Sequence, residues 1–283
     1  MWSTPQSILN PKPLSVTSAP PNKLFCLGNA ASLLGPCIAI VGTRRPTGYG
    51  LKVAFEIARD LARSGVCVVS GLARGIDGAA HVGALAGGGQ TVAVLGHGLD
   101  RIYPKEHQRL ALRILEMGGA LLSEFEVGVA PLPAHFPQRN RIIAGLSLGV
   151  VVVEAAERSG SLITAGFAAD EGREVFVVPS RAGDTSFAGS HRLIQDGAKL
   201  VNRAADILVE FGVKVEEPLP SFSEMEPLER FFWSHGGVAS LSHLHNAPRL
   251  KERFREALST GEVREYALQK FVWIGKTGAP RVN

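Results

Sequence analysis

IAIVGTRRPTGYGLKVAFEIARDLARSGVCVVSGLARGIDGAAH, residues 38–81, contains one full unit of a strand–helix–strand pattern. Ile38 to Val41 and Val66 to Val69 are short unbroken apolar runs, the mark of strands buried on both faces. Between them Ala54, Ile57, Ala58, Leu61 and Ala62 recur at helical spacing, so one apolar stripe covers the sheet. Ser64-Gly65 is a helix stop. Outward from this unit, further apolar runs stand at Thr91 to Leu95, Ala120 to Leu122, Val150 to Val153 and Val175 to Val178. Helix-period segments alternate with them at about 75–86, 105–117, 139–147, 161–171 and 189–196. The order predicts an α/β fold, a Rossmann-like doubly wound and mainly parallel sheet. Ligands of such sheets bind at the carboxyl ends of the strands, so the loops that follow strands carry the function.

The flanks read differently. Residues 1–37 are rich in Pro, Ser and Asn without a sustained period and predict an irregular N-terminal arm whose later part packs on the core. The Rossmann-like domain is placed at 38–212 and a linker at 213–222, around Glu216-Glu217-Pro218-Leu219-Pro220. Residues 223–276 read as three short helices and a hairpin, a small C-terminal winged-helix-like domain, before a tail at 277–283.

With 283 residues and 45% hydrophobic content the chain can bury a substantial core. Its formal charge is only +4, so an anionic partner must be met by a local basic surface. Cys26, Cys37 and Cys67 fit neither a zinc motif nor a disulfide framework and read as small buried hydrophobes in a reducing compartment. His243 and His245 lack a Cys or carboxylate at ligand spacing, so no metal is expected. The N-terminus has no secretory pattern, and no run approaches the roughly 18 apolar residues that span a bilayer. A cytoplasmic protein without a membrane partner is the expectation.

Four loops carry chemistry. Gly42-Thr43-Arg44-Arg45-Pro46-Thr47-Gly48-Tyr49-Gly50 joins the first strand to a helix, where backbone N–H groups and the helix dipole favour an anion. It matches neither the dinucleotide fingerprint nor a P-loop, so no nicotinamide, ATP or other cofactor is expected. The second loop runs from Ser70 and Gly71 to Asp77 and His81, which lie one helical turn apart and predict a structural hydrogen bond. The third, Phe136-Pro137-Gln138-Arg139-Asn140-Arg141, sets an aromatic face beside two guanidinium groups and an amide, the combination used on single strands. The fourth follows the fifth strand, with Glu154 and then Ser159, Gly160, Ser161 and Thr164 at a helix N-terminus. Several anion-friendly termini on one rim suit the spaced phosphates of a strand better than one small molecule. Glu154 is expected to pair with Arg139 or Arg141 and hold the loop.

Taken in order, GTRRPTGYG at 42, SGLARGIDGAAH at 70, TVAVLGHGLDRIYP at 91, LLSE at 121, FPQRNRIIAGLS at 136, VVVEAAERSGSLIT at 151 and LIQDGAKL at 193 closely resemble the DprA/Smf DNA-processing family. The resemblance covers about residues 38–210. It implies a Rossmann-like domain that binds single-stranded DNA, forms a homodimer and loads the RecA recombinase in natural transformation. It places Arg44 in the phosphate loop, Lys105 and Arg139 to Arg141 along the DNA path, and Ser159 to Thr164 as backbone contacts. His191, Ile194 and Leu200 fall where the family forms its dimer contact. The chain departs from the family at Pro179-Ser180, where many members have Pro-Gly, and the family's N-terminal helical domain is expected to be missing or reduced to the arm before Ile38. The reading is of a binding protein and not an enzyme. The enzymatic alternative is a Rossmann-fold nucleoside-phosphate hydrolase in which Glu154 polarises a sugar, but the glycine-rich PGGxGTxxE loop of such enzymes is absent.

Overall fold

The computed structural model describes residues 6–8, 14–214, 226–234, 238–240, 244, 247–260, 262–267 and 270–273. The chain divides into two compact units, Met1–Pro218 and Leu219–Asn283.

The first unit is built on nine strands: β1 (Gln6–Ile8), β2 (Leu24–Gly28), β3 (Cys37–Val41), β4 (Cys67–Ser70), β5 (Thr91–Leu95), β6 (Ala120–Ser123), β7 (Gly149–Val152), β8 (Glu174–Val177) and β9 (Lys199–Leu200). Their order across the sheet is β1-β2-β6-β5-β4-β3-β7-β8-β9. Every neighbouring pair from β6 to β9 is parallel, while β2 and β1 add antiparallel strands at the β6 edge. The helices are α1 (Gly48–Arg63), α2 (Ile76–Ala86), α3 (Gln108–Glu116), α4 (His135–Leu146), α5 (Ser161–Asp170), α6 (Ala188–Gln195) and α7 (Ala204–Leu208).

Alternation along β3 shows why its run is apolar throughout. Ile38 and Ile40 pack with Val53, Ile57 and Leu61 of α1 and with Ile76 and Ala80 of α2. Cys37, Ala39 and Val41 face the other way, onto Ile142 and Ile143 of α4 and Ala165 of α5. With a helical layer on each face, both sets of side chains must be apolar. The chain winds from β3 through β4 and β5 to β6 in one direction and from β7 to β9 in the other. The order therefore reverses between the neighbours β3 and β7, and a crevice opens there beyond the strand ends.

The expected irregular arm before Ile38 is corrected. Leu24–Gly28 pairs with β6 through Phe25 to Ser123 and Cys26 to Leu122, and Leu14 is buried in the core on the α4 side. Five residues flanked by Pro and Asn carry too little periodicity to announce a strand. The open backbone edge of β6 supplies their hydrogen bonds. Helix α4 also starts earlier than its period suggested, at His135, because Pro137 lies in the first turn, where its missing N–H leaves no bond unmade. Cys26, Cys37 and Cys67 are all buried and free.

In the second unit α8 (Pro227–Ser234) and α9 (Lys251–Thr260) accompany an antiparallel sheet in the order β10 (Val238–Ser240), β12 (Lys270–Trp273), β11 (Val263–Ala267). Phe232 and Phe254 stack with ring centroids 6.3 Å apart, and Leu228, Ala257 and Val263 are buried. Val238–Ser240 is a strand; the second of the three expected helices falls on 240–246, of which Leu241 to His243, His245 and Asn246 lie outside the described residues. Arg253 of α9 is ion-paired with Glu226, Glu256 and Glu262, so its charge is internally compensated.

Candidate functional site

The crevice at the β3/β7 reversal is a cavity of about 600 Å³. One wall is the loop after β3. Thr43 N–H donates to the Glu154 carbonyl at 2.7 Å, its own carbonyl accepts from Ile76 N–H at 3.2 Å, and its hydroxyl accepts from Arg45 N–H at 3.2 Å. The loop is thus tied to β7 and to α2, and Arg44 and Arg45 are left exposed at its lip without a carboxylate partner among the described residues. Gly75, at φ +79°, closes this corner, because a Cβ there would lie 2.4 Å from the Thr43 carbonyl. Arg44 sets its guanidinium 5.1 Å from the ring centroid of Phe136, which in turn lies 5.8 Å from the Tyr103 ring. A cation over a half-exposed ring is a modest contact, on the order of 0.5–1 kcal/mol, so a stronger anionic partner can claim it.

The facing wall is the turn into α5. Ser159 and Ser161 hydroxyls share a 2.7 Å hydrogen bond, and Asn140 donates its side-chain amide to the Gly160 carbonyl at 3.3 Å. Thr164 is buried one turn further along and completes this wall.

The floor holds a buried guanidinium and a buried carboxyl. Arg139 is 3% exposed and donates Nη1 to the carbonyls of Gly71, at 2.9 Å, and of Val94. Burial lowers its pKa to about 10, with Asp77 acting in the opposite direction, so it stays charged at neutral pH. Asp77 accepts from Gly71 N–H at 3.1 Å and Ala73 N–H at 3.3 Å through Oδ2. Burial raises its carboxyl above the usual range, while Arg139, these backbone donors and Arg44 pull it down.

The structure brings together Gly42, Thr43, Arg44, Arg45, Phe136, Arg139, Asn140, Ser159, Gly160, Ser161 and Thr164 around this one cavity. Five expectations are corrected. Arg139 lies in the floor and not on the surface, since its guanidinium is committed to strand-end carbonyls. Gly71 is buried beneath it, its backbone spent on Asp77 and Arg139. Arg141 turns away, to Glu124 and to the Ala19 carbonyl at 2.7 Å, and Lys105 is exposed in a separate 3-10 turn outside the lining. Asp77 and His81 do not bond: Thr91 Oγ donates to the Val68 carbonyl at 2.6 Å, so His81 Nδ1 donates to Thr91 Oγ at 2.8 Å. Burial pushes the His81 imidazole down to about 3, which leaves it neutral.

Glu154 pairs with neither arginine. Fully buried, it accepts from Thr47 N–H at 2.9 Å and Thr47 Oγ at 2.9 Å, which places its charge at the N-terminus of α1. A Cβ at Gly50 would stand 2.2 Å from its Oε2, so any larger residue there must displace the carboxylate. It does not line the cavity, so it braces the β3 loop and is not placed to polarise a bound sugar. Tyr103, Pro131 and Pro133 line the cavity without having been singled out by sequence; the signals were the end of the 91–104 motif for Tyr103 and proximity to the Phe136 motif for the two prolines. Among the described residues no group of three or more His, Cys, Asp or Glu side chains is placed to hold a metal ion.

The profile of the DNA recombination-mediator protein A family matches residues 3–212. The chain belongs to this family. Protein Smf of Escherichia coli is 47% identical over 219 residues, 77% of this chain and 59% of that protein. DNA processing protein DprA of Streptococcus pneumoniae is 48% identical over 191 residues, 68% of this chain and 67% of that one. The chain thus spans less than two thirds of the length of the Escherichia coli relative. The crystal structure of the pneumococcal DprA superposes with a TM-score of 0.69 at 43% identity, covering 76% of each chain. DNA processing protein A of Helicobacter pylori, whose structure was described for its single-stranded DNA binding mode, gives a TM-score of 0.67 at 32% identity, covering 75% of this chain and 98% of that one. The DprA/Smf resemblance of the loop motifs is therefore established, and so is the Rossmann-like fold of the matched region.

In this family member His191 and Ile194 lie on α6 and Leu200 on β9, the edge strand opposite β1. His191 donates Nε2 to the Ser180 carbonyl at 3.2 Å, Ile194 is half-buried against the core, and Leu200 is 45% exposed.

Proposed function

We propose that the chain binds single-stranded DNA across the rim of the β3/β7 cavity, as a binding protein and not as an enzyme. The observation that carries this reading is the lip formed by Arg44 and Arg45. Two exposed guanidinium groups without carboxylate partners among the described residues stand at this lip, Arg44 over the Phe136 ring that adjoins Tyr103, and the Ser159–Ser161 turn lines the same cavity. Phosphates meet the arginines and helix termini, and an unstacked base meets the rings. Double-stranded DNA hides its base faces and would use the arginines alone. In a mobility-shift series over rising salt, a labelled single strand is expected to bind more tightly than the duplex and to weaken steeply with salt. Equal affinity for the two forms would refute the proposal.

The family resemblance supports a cytoplasmic role in delivering single strands to the RecA recombinase during natural transformation. It also supports a winged-helix character for the second unit. Among the described residues no helix is long and apolar enough to cross a membrane.

A homodimer is part of the same proposal. β9 is a sheet edge with unpaired backbone groups, and Leu200 beside it is an exposed apolar side chain near Ile194 in sequence. Ile194→Glu sets a charge in this patch and is expected to give a monomer by light scattering, with the wild type a dimer. A wild type that is itself monomeric, or a variant that remains dimeric, excludes this edge.

A further inference from the structure

Cys37 and Cys67 stand side by side on neighbouring strands and take no part in the cavity. Cys37 opens β3 and Cys67 opens β4, and the two are Cα partners in the parallel ladder, where Cys67 N–H donates to the Pro36 carbonyl at 2.9 Å. Neighbouring strands run about 4.7–4.9 Å apart, within the roughly 4.4–6.8 Å that the Cα atoms of a disulfide span. Both side chains lie in the core layer on the α4 side of the sheet, and both thiols are free.

The two thiols are hydrogen-bonded to each other. Cys37 Sγ donates to the Gly35 carbonyl at 3.5 Å, so the bond between the thiols runs from Cys67 to Cys37. That bond lowers the Cys37 thiol from its ordinary value, with burial opposing it, while Cys67 is held well above its own by the same bond and by burial. Cys37 is therefore the sulfur that gives up a proton, with Cys67 in reach of it.

The pair is only 2% and 5% exposed, but it lies at the mouths of the strands. Gly35 and Gly65, two residues before each cysteine, are exposed. Local opening of these ends lets in a small oxidant and still excludes a bulky one such as a peptide disulfide. Cys26 sets the contrast. It stands on β2, with β6 and β5 between it and β4, and burial pushes its thiol up to about 11. Three strand spacings, at least about 14 Å, keep it from the pair.

We propose that Cys37 and Cys67 form a reversible oxidation site, closed to a disulfide by a small hydroperoxide within the native fold. The Cys37 thiolate attacks the terminal peroxide oxygen and the O–O bond breaks. The far oxygen leaves as water or an alcohol with the Cys37 proton, and Cys37 becomes a sulfenic acid. The Cys67 sulfur then attacks that sulfur, the S–O bond breaks, and the hydroxide leaves as water with the Cys67 proton. Two electrons pass from the sulfurs to one peroxide, and one S–S bond joins β3 to β4. The bond lies at the opposite strand ends from the loops after Val41 and Ser70, so it fixes two elements that carry the cavity without occupying a ligand contact.

The test treats the full chain with hydrogen peroxide in native buffer, then denatures it, alkylates it with N-ethylmaleimide and measures the intact mass. One alkylated cysteine per chain is expected, against three before oxidation and three again after dithiothreitol. Peptide mapping should join Cys37 to Cys67 and find the label on Cys26. In Cys67→Ser the sulfenic acid has no partner and should be trapped on Cys37 by dimedone. Three labelled cysteines after peroxide, a bridge that includes Cys26, a bridge between chains, or a bridge that forms only in denaturant would each overturn the proposal. Sulfinic or sulfonic acid on Cys37 in place of the bridge would overturn it too. Because the mapping uses only the wild-type chain, the proposal is decided even if the variant does not fold.

Discussion

Replacing Arg44 with alanine should weaken single-stranded DNA binding by about 2 kcal/mol, roughly thirtyfold in Kd, and leave the fold intact. The guanidinium is exposed and has no ion-pair partner among the described residues; it lies over the Phe136 ring, and its charge also acts on the Asp77 carboxyl. Losing that contact costs less than about 1 kcal/mol, within the range of ordinary surface substitutions. A charge-assisted bond to phosphate is about twice as strong as a neutral one, so the loss falls on the complex. The affinity–salt slope should also become shallower by close to one released counterion. Anisotropy titrations over a salt series, beside a thermal melt, check both parts. Unchanged affinity with an intact fold removes the β3 lip from the interface.

The opposite behaviour is expected of Arg139, although both arginines belong to phosphate-like motifs. Arg139→Leu deletes a buried cation and strands the Gly71 and Val94 carbonyls it serves, and Asp77 loses its largest stabilising charge. Leaving a buried polar group unsatisfied costs about 1–3 kcal/mol, so two stranded carbonyls together destabilise by about 3–5 kcal/mol. For a unit of this size that lowers Tm by roughly 10 °C. Chemical denaturation of wild type and variant measures it directly. A variant as stable as wild type would mean that the floor contributes little to the fold and that Arg139 is held for ligand alone.

The contrast between these two arginines marks the limit of sequence reading. Periodicity is local: the unbroken run Ile38–Val41 and the stripe Ala54 to Ala62 are set by burial on two faces and on one, so strand, helix and their alternation were legible along the chain. The four loops were legible too, because glycine, serine and arginine after a strand are chosen by backbone approach and anion chemistry. Partner choice is not local. Helical spacing set Asp77 and His81 on one face, yet each bonds elsewhere, to the Gly71–Ala73 loop and to Thr91 of the neighbouring strand. Glu154 found the N-terminus of α1 at Thr47 in place of an arginine, and Arg141 found Glu124. Leu24–Gly28 became a strand because β6 offered an open edge. The sequence by itself thus determined the doubly wound sheet and the loops that meet at its rim. Tertiary structure alone decided which of their charges remain free for a ligand, because a polar group leaving water takes the nearest partner in space, and that partner comes from another strand or helix.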